Sequence, residues 1–198
     1  MKKIVTILFI FLLTSMSFTQ VQNETTRVAQ SSRPQFSMAG LVFVSLQNWS
    51  DLKTEQISKD ASKLGLGFSG DLFAGVIFNE MFIGIGPHAG YNFWTYSTTS
   101  YGNDLSTTIT VEDFGLDIGV AWNDFYITLG RGSGNVSVSA SINGDSQSAD
   151  GPQGIGYTRF GIGWFDGWFA MGISITNYDQ DKVRNNLNRA QLDFGWAF

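Results

Sequence analysis

Seven titratable or charged residues fall on one parity of the segments that hold them: Asp71, His88, Asp113, Asp117, Arg159, Arg189 and Asp193. Two chemistries use such a set. One is a structural salt-bridge network, because charges in a low-dielectric interior must be paired; Arg159 and Arg189 would then serve the carboxylates, and this is the expected arrangement. The other is a proton or ion path, which the excess of Asp over Arg keeps in play. A nucleophilic site needs a base within reach of a hydroxyl. His88 is the only histidine, Pro87-His88-Ala89 supplies no adjacent Ser, and Ser97 and Ser100 follow at a generic spacing. One His excludes a metal site built on two, and the absence of Cys excludes disulfides, thiolate zinc and a thiol lipid anchor. Residues 143–151 offer oxygens to Ca2+ but lack the EF-hand spacing and its closing Glu; they read as solvated loop. No catalytic residue, cofactor or metal is expected.

The segments that position these residues have a period of two. Ala190, Leu192, Phe194, Trp196 and Phe198 share one face, and Arg189, Gln191, Asp193, Gly195 and Ala197 the other. The same alternation runs through Phe169–Ile175, Phe160–Trp164, Phe114–Trp122, Met81–Ile85 and Leu64–Phe78, and it is the signature of half-buried strands. Segments near 36–48 and 125–137 bring the set to eight strands. Asn79-Glu80, Asn123-Asp124 and Asp166-Gly167 read as two-residue hairpin turns. Polar stretches near 49–63, 95–107, 138–153 and 179–187 read as long loops, with Tyr96 and Tyr101 in the second suited to contacts. Short and long links alternate, so the turns gather at one end of the sheet and the loops at the other.

The start of the chain reads as an address. Met1-Lys2-Lys3 followed by an apolar run over Ile4–Leu13 and small residues through Thr19 is a secretory signal peptide pattern, residues 1–19. Residues 20–35 are polar and aperiodic, a flexible lead-in. A net charge of -5 argues against a nucleic-acid partner.

The minor face of the strands is Gly, Ala, Ser and a few Asp, with very few Lys. A soluble barrel would place Lys, Glu and Gln on its wet outside. Small residues suit the inside of a narrow eight-stranded barrel, so the large apolar residues are expected to face lipid. Aromatics beside the turns (Phe78, Phe82, Trp122, Phe125, Trp164, Phe165, Trp168, Phe169, Trp196, Phe198) would form one interfacial belt, and Tyr91, Phe93, Trp94, Tyr157 and Tyr178 a second. Two residues strain this pattern. Pro87 falls inside a strand, where a bulge would accommodate it, and Arg131 continues a lipid-facing parity unless Gly130 and Gly132 shift the register.

On this strand rhythm, and on the ending Leu192-Asp193-Phe194-Gly195-Trp196-Ala197-Phe198, residues 36–198 resemble the small eight-stranded outer-membrane proteins, the OmpX and OmpA transmembrane-domain group. The resemblance implies an all-β, eight-stranded antiparallel up-and-down transmembrane barrel in the outer membrane of a Gram-negative-type bacterium. It implies lipopolysaccharide and other outer-membrane lipids as surroundings. It also implies the barrel-assembly machinery as a partner, recognising Phe194, Trp196 and Phe198. The expected function is non-enzymatic: a monomer with a filled lumen and a structural or surface-interaction role of adhesion type, its long loops open to a surface ligand. The alternatives are a narrow porin-like channel, a lipid A-modifying enzyme using His88, and a secreted lipocalin-like carrier with the faces reversed.

Overall fold

The computed structural model describes residues 34–50, 64–100, 103–179 and 188–198, and the elements among them are all strands. In chain order they are β1 (Gln35–Ser50), β2 (Leu64–Phe78), β3 (Met81–Ser100), β4 (Asn103–Trp122), β5 (Phe125–Ile142), β6 (Asp145–Asp150), β7 (Ile155–Asp166), β8 (Phe169–Tyr178) and β9 (Asn188–Ala197). Eight of them close a ring in the order β1-β2-β3-β4-β5-β7-β8-β9, every pair antiparallel; β6 pairs with β5 as an arm outside the ring. Residues 1–33, which include the signal peptide and most of the lead-in, lie outside the described residues, as do 51–63, 101–102 (with Tyr101) and 180–187.

Partners can be followed round the ring from Met38 through Ala74, Ile85, Ile118, Leu129, Phe160, Ile175 and Ala190. The path returns to β1 at Asn48, ten residues further along. Such a stagger ties strand number to a tilt of roughly 35–45°. The seam closes with reciprocal backbone bonds, Gly40 N–H to the Phe198 carbonyl at 2.7 Å and Phe198 N–H to the Gly40 carbonyl at 3.0 Å. Gly195 is required there: a β-carbon on it would run into the Val42 carbonyl.

Alternation then decides what each side chain meets. Val44, Leu46, Phe68, Leu72, Ile85, Phe114, Leu116, Ile118, Ile127, Leu129, Ile162 and Ile173 stand exposed on the outer surface, while the residues between them are buried within. A soluble protein does not leave a continuous apolar girdle open; a barrel in lipid must, and it pairs its backbone by closing on itself. The faces are those of a membrane barrel, not of a lipocalin.

Several expectations change in detail. The third short turn is Gly167-Trp168, one residue later than expected, because Asp166 still pairs with Phe169. The stretches 95–107 and 138–153 are mostly strand. β3 and β4 stay paired up to Ser100 and Asn103, and β5 turns through Asn143-Gly144, both at positive φ, into β6. Thr is a good strand former, and Asn-Gly suits a type I′ turn. No bulge forms at Pro87. Asp71–His88 and Ala74–Ile85 share one register, with only the two pairs between them lost from the β2–β3 ladder. Gln35 opens β1 rather than ending the lead-in.

Arg131 does face outward, exposed and paired with Leu116 and Thr158, so the glycines beside it do not shift the register. The next outward positions on β5 are Ser133 and Asn135, which puts Arg131 at the rim of the apolar girdle. The turn-end belt keeps Phe78, Trp122, Phe125, Trp168, Phe169 and Trp196 on the outside, but Phe82 and Phe165 turn inward. At the loop end Tyr91 faces out, whereas Trp94, Tyr157 and Tyr178 are buried in the lumen, on the parity of Asn92, Arg159 and Thr176.

Candidate functional site

The lumen is filled in layers. At the turn end Leu41, Phe43, Phe73, Tyr126 and Ala170 pack together, with Phe43 stacked on Tyr126 at 6.1 Å between ring centres. At the loop end Trp94, Val111, Val136, Ile155, Tyr157 and Tyr178 form a second apolar cluster. Between them lie the seven polar residues singled out above, all of them buried.

Two ion pairs span this middle zone. Arg159 of β7 donates through Nη1 to both oxygens of Asp71 on β2, at 3.2 and 3.3 Å. Those strands are four places apart in a ring of eight, so the pair crosses the lumen along a diameter. The same Nη1 donates to Asp117 Oδ2 at 2.7 Å. His88 Nδ1 lies 2.8 Å from Asp71 Oδ1 and 3.1 Å from Arg159 Nη1; with its proton on Nδ1 the ring donates to the carboxylate. The Asp117 side chain lies flat over Gly130, where any β-carbon would meet its carboxyl group.

Nearer the loop end, Arg189 of β9 donates through Nη2 to Asp113 Oδ2 of β4 at 2.8 Å, again across a diameter. Asp113 also accepts from Tyr178 Oη at 2.7 Å and Asn92 Nδ2 at 2.8 Å. Arg189 reaches Tyr178 Oη at 2.9 Å and Thr176 Oγ1 at 3.3 Å. Gln47 donates to Asn92, which extends the network to β1.

Asp193 is held differently. It accepts from Ser45 Oγ at 2.5 Å, Ser174 Oγ at 2.6 Å and Gln191 Nε2 at 2.9 Å, and among the described residues it makes no ion pair within 4.0 Å. Hydroxyl and amide donors replace the arginine expected from the sequence. Four carboxylates therefore share the lumen with two guanidiniums and one imidazole, and the deficit in cations is offset by neutral donors. Gln47, Asn92, Thr176, Tyr178, Ser45 and Ser174 complete the network. Their shared inward parity was visible in the sequence, but as neutral side chains they carried no charge to mark them.

As a metal site the cluster is poor. Asp71, His88 and Asp117 each offer a ligand atom within 4.8 Å of the others, yet Arg159 Nη1 already occupies the space they enclose. A cation would have to displace a guanidinium that contacts both carboxylates. Elsewhere in the ring, Trp196 faces outward and stacks on Trp168 at 6.4 Å, and the Phe198 ring lies against Gly40 at the seam. Phe194 shares their outward parity and pairs with Val44 and Met171.

A closed antiparallel ring of eight strands, apolar outside and polar within, defines the class: this chain has the fold of a small eight-stranded transmembrane β-barrel. Among solved structures it is similar to Ail, the attachment invasion locus protein of Yersinia pestis, solved with the heparin analogue sucrose octasulfate. That match has a TM-score of 0.53 at 12% identity, over 81% of this chain and 97% of that one. Neisserial surface protein A also matches, with a TM-score of 0.39 at 13% identity over 82% and 97% of the two chains. No protein-family model matches the chain, and no curated protein matches its sequence. At such identity the likeness to Ail shows the fold alone.

Proposed function

We propose that this chain is a surface-interaction protein of the outer membrane of a Gram-negative-type bacterium, and that it acts through a sheet raised beyond the barrel. One observation carries the reading. Among the described residues, β3 beyond Phe93 no longer pairs with β2 and pairs with β4 only, while β6 pairs with β5 only. The four-stranded sheet β3-β4-β5-β6 therefore has two edges with no strand partner among the described residues. From Phe93 to Ser100 it extends roughly 23 Å along the strand, at about 3.3 Å per residue. An open edge is a template for pairing with another extended chain.

The two faces of this sheet differ. On the outward face Thr95, Thr108, Ser139 and Ser148 form one rank across the four strands, with hydroxyl contacts of 3.0 Å between the first two and 2.8 Å between the last two. On the other face Tyr96, Ile109 and Val138 pack against the loop-end cluster. A partner that adds to an edge would thus meet hydroxyls on one side and apolar groups on the other. The structural neighbour Ail is by name an attachment protein. The net charge of -5 here favours a neutral or basic partner over a polyanion.

The rest of the reading follows the same lines. The barrel is a monomer exported by a cleaved signal peptide and folded by the barrel-assembly machinery through Phe194, Trp196 and Phe198, among lipopolysaccharide and other outer-membrane lipids. It is not an enzyme: what supports this is that His88 is 3% exposed and lies between two apolar layers.

Adherence tests the proposal. Cells displaying the intact chain should adhere several-fold better to protein-coated surfaces than cells displaying a chain whose β5–β6 hairpin is cut back to a tight turn. Equal adherence, at equal amounts of heat-modifiable folded protein, would leave only a structural role in the envelope.

A further inference from the structure

We infer that the outer edge of β6 takes up an antiparallel, extended segment of another protein that is basic at both ends of a six-residue stretch. The inference rests on the surface-interaction reading above and names its partner. Successive residues of an antiparallel strand bond toward the neighbour and then away from it. The two-residue Asn143-Gly144 turn sets the phase on β6, since the pair that closes such a turn, Ile142 and Asp145, is a bonded one. Gly151 keeps the phase, donating to the Val136 carbonyl at 2.9 Å. Asp145, Gln147 and Ala149 therefore bond to β5, while Ser146, Ser148 and Asp150 point their N–H and C=O groups away from it. Among the described residues no strand lies on that side, and the six residues of β6 are all exposed.

Charge selects the occupant. Neither residues 64–130 nor residues 132–158 contain a Lys or Arg, so the raised sheet carries acids only. Two of them stand at the ends of β6, Asp145 and Asp150. Opposite charges facing each other across a strand pair attract, and like charges repel. A second copy is thus disfavoured: β6 paired in register with itself sets Asp145 against Asp150 if antiparallel, and each Asp against its own counterpart if parallel. A foreign strand with Lys or Arg facing both acids gains where a second copy loses. The two faces of the sheet set the positions between. Ala149 ends the apolar rank Trp94-Ile109-Val138-Ala149 and shares its face with Gln147; Ser148 ends the hydroxyl rank on the other face. An added strand that continues both faces reads basic, apolar, Thr, apolar, Thr, basic.

The test presents the peptide Lys-Val-Thr-Val-Thr-Lys, blocked at both termini, to 15N-labelled protein purified from membranes into phosphatidylcholine nanodiscs. Saturable binding is expected, with several-fold slower hydrogen exchange at the Ser146, Ser148 and Asp150 amides and little change at Gln147 and Ala149. N-methylating the two Thr of the peptide should abolish binding, because those amides face β6; N-methylating the two Val should not. Asp145→Asn and Asp150→Asn should each weaken binding about two- to fivefold, the range for one opposite-charge cross-strand pair, and leave a peptide with Thr in place of Lys unaffected. A Glu-flanked peptide that binds equally well overturns the charge assignment. Val methylation as harmful as Thr methylation overturns the edge, as does slow exchange of the same three amides before any peptide is added. Adherence that needs the β5–β6 hairpin, without peptide capture, would keep the surface-interaction reading and remove this one; capture without adherence would do the reverse.

Discussion

Arg159 grips Asp71 from the far side of the barrel: the two residues stand on β7 and β2, half the ring apart, and one guanidinium nitrogen lies 3.2 and 3.3 Å from the two carboxylate oxygens. Arg189 and Asp113 repeat the relationship between β9 and β4. The two diameters run between different pairs of strands, so together they brace the cross-section in two directions. Neither brace requires the membrane; both require that water be excluded, which the apolar layers at either end do.

Breaking the braces should be unequally costly. Arg159→Ala strands Asp71 and Asp117 together in the interior, and losing one partner of a buried pair costs about 3–5 kcal/mol. Arg189→Ala leaves Asp113 with its Tyr178 and Asn92 donors and should cost less. Urea unfolding in detergent micelles, followed by the gel mobility of boiled and unboiled samples, gives both numbers. Equal losses would mean that Tyr178 and Asn92 contribute nothing to Asp113.

Asp193→Asn should be mild. The amide oxygen still accepts from one hydroxyl, and Ser45 or Ser174 can rotate to accept from the new amide nitrogen, so a loss of about 1 kcal/mol is expected. Asp71→Asn removes the charge that Arg159 spans the lumen to reach and should cost more in the same unfolding assay. The reverse order would mean that Asp193, not Asp71, carries the electrostatic load.

Arg131→Leu should change stability by less than about 1 kcal/mol, because a lipid-facing Arg near the interface costs only 0–1 kcal/mol. A gain of about 2–4 kcal/mol in unfolding experiments would instead place Arg131 at the bilayer midplane and move the girdle toward the loop end.

Planar bilayers containing the protein should show no discrete current steps. The Phe43, Phe73 and Tyr126 layer and the Trp94, Val111 and Ile155 layer each cross the ion path. Regular steps that Arg159→Ala or Asp117→Asn alters would make the protein a channel and the ion pairs its gate.

The ring itself was legible in the sequence because each strand obeys one rule: a residue's parity decides whether it meets lipid or lumen. That rule placed Asp71, His88, Asp113, Asp117, Arg159, Arg189 and Asp193 inside together. It failed where hydrophobicity was mistaken for orientation. Trp94, Tyr157 and Tyr178 resemble interfacial aromatics by type, yet their parity sends them inward, where two of them cap the charged zone. Leu41, Phe43 and Phe73 are large residues on the small-residue face, and they form the turn-end layer. The raised sheet was missed because Ser and Thr runs suggest loop, although Thr95 and Tyr96, or Thr108 and Ile109, still alternate and Asn143-Gly144 is a hairpin signal. Which donor serves which carboxylate was not legible, since that depends on the stagger of the ring and no single segment contains it.

The stagger and the seam also set a clock. Ser45 donates to Asp193 across 148 positions of chain, and the Gly40–Phe198 bonds join the first strand of the ring to the last. Loop-closure entropy grows with the length closed, and topologies dominated by distant pairs fold slowly. Until β9 meets β1, the first strand keeps an open edge and the apolar girdle has no lipid to face. The interval between synthesis and closure is therefore the chain's most vulnerable period. Substitutions that slow closure, such as a bulkier residue at Gly195, are expected to reduce its abundance before they alter the finished barrel.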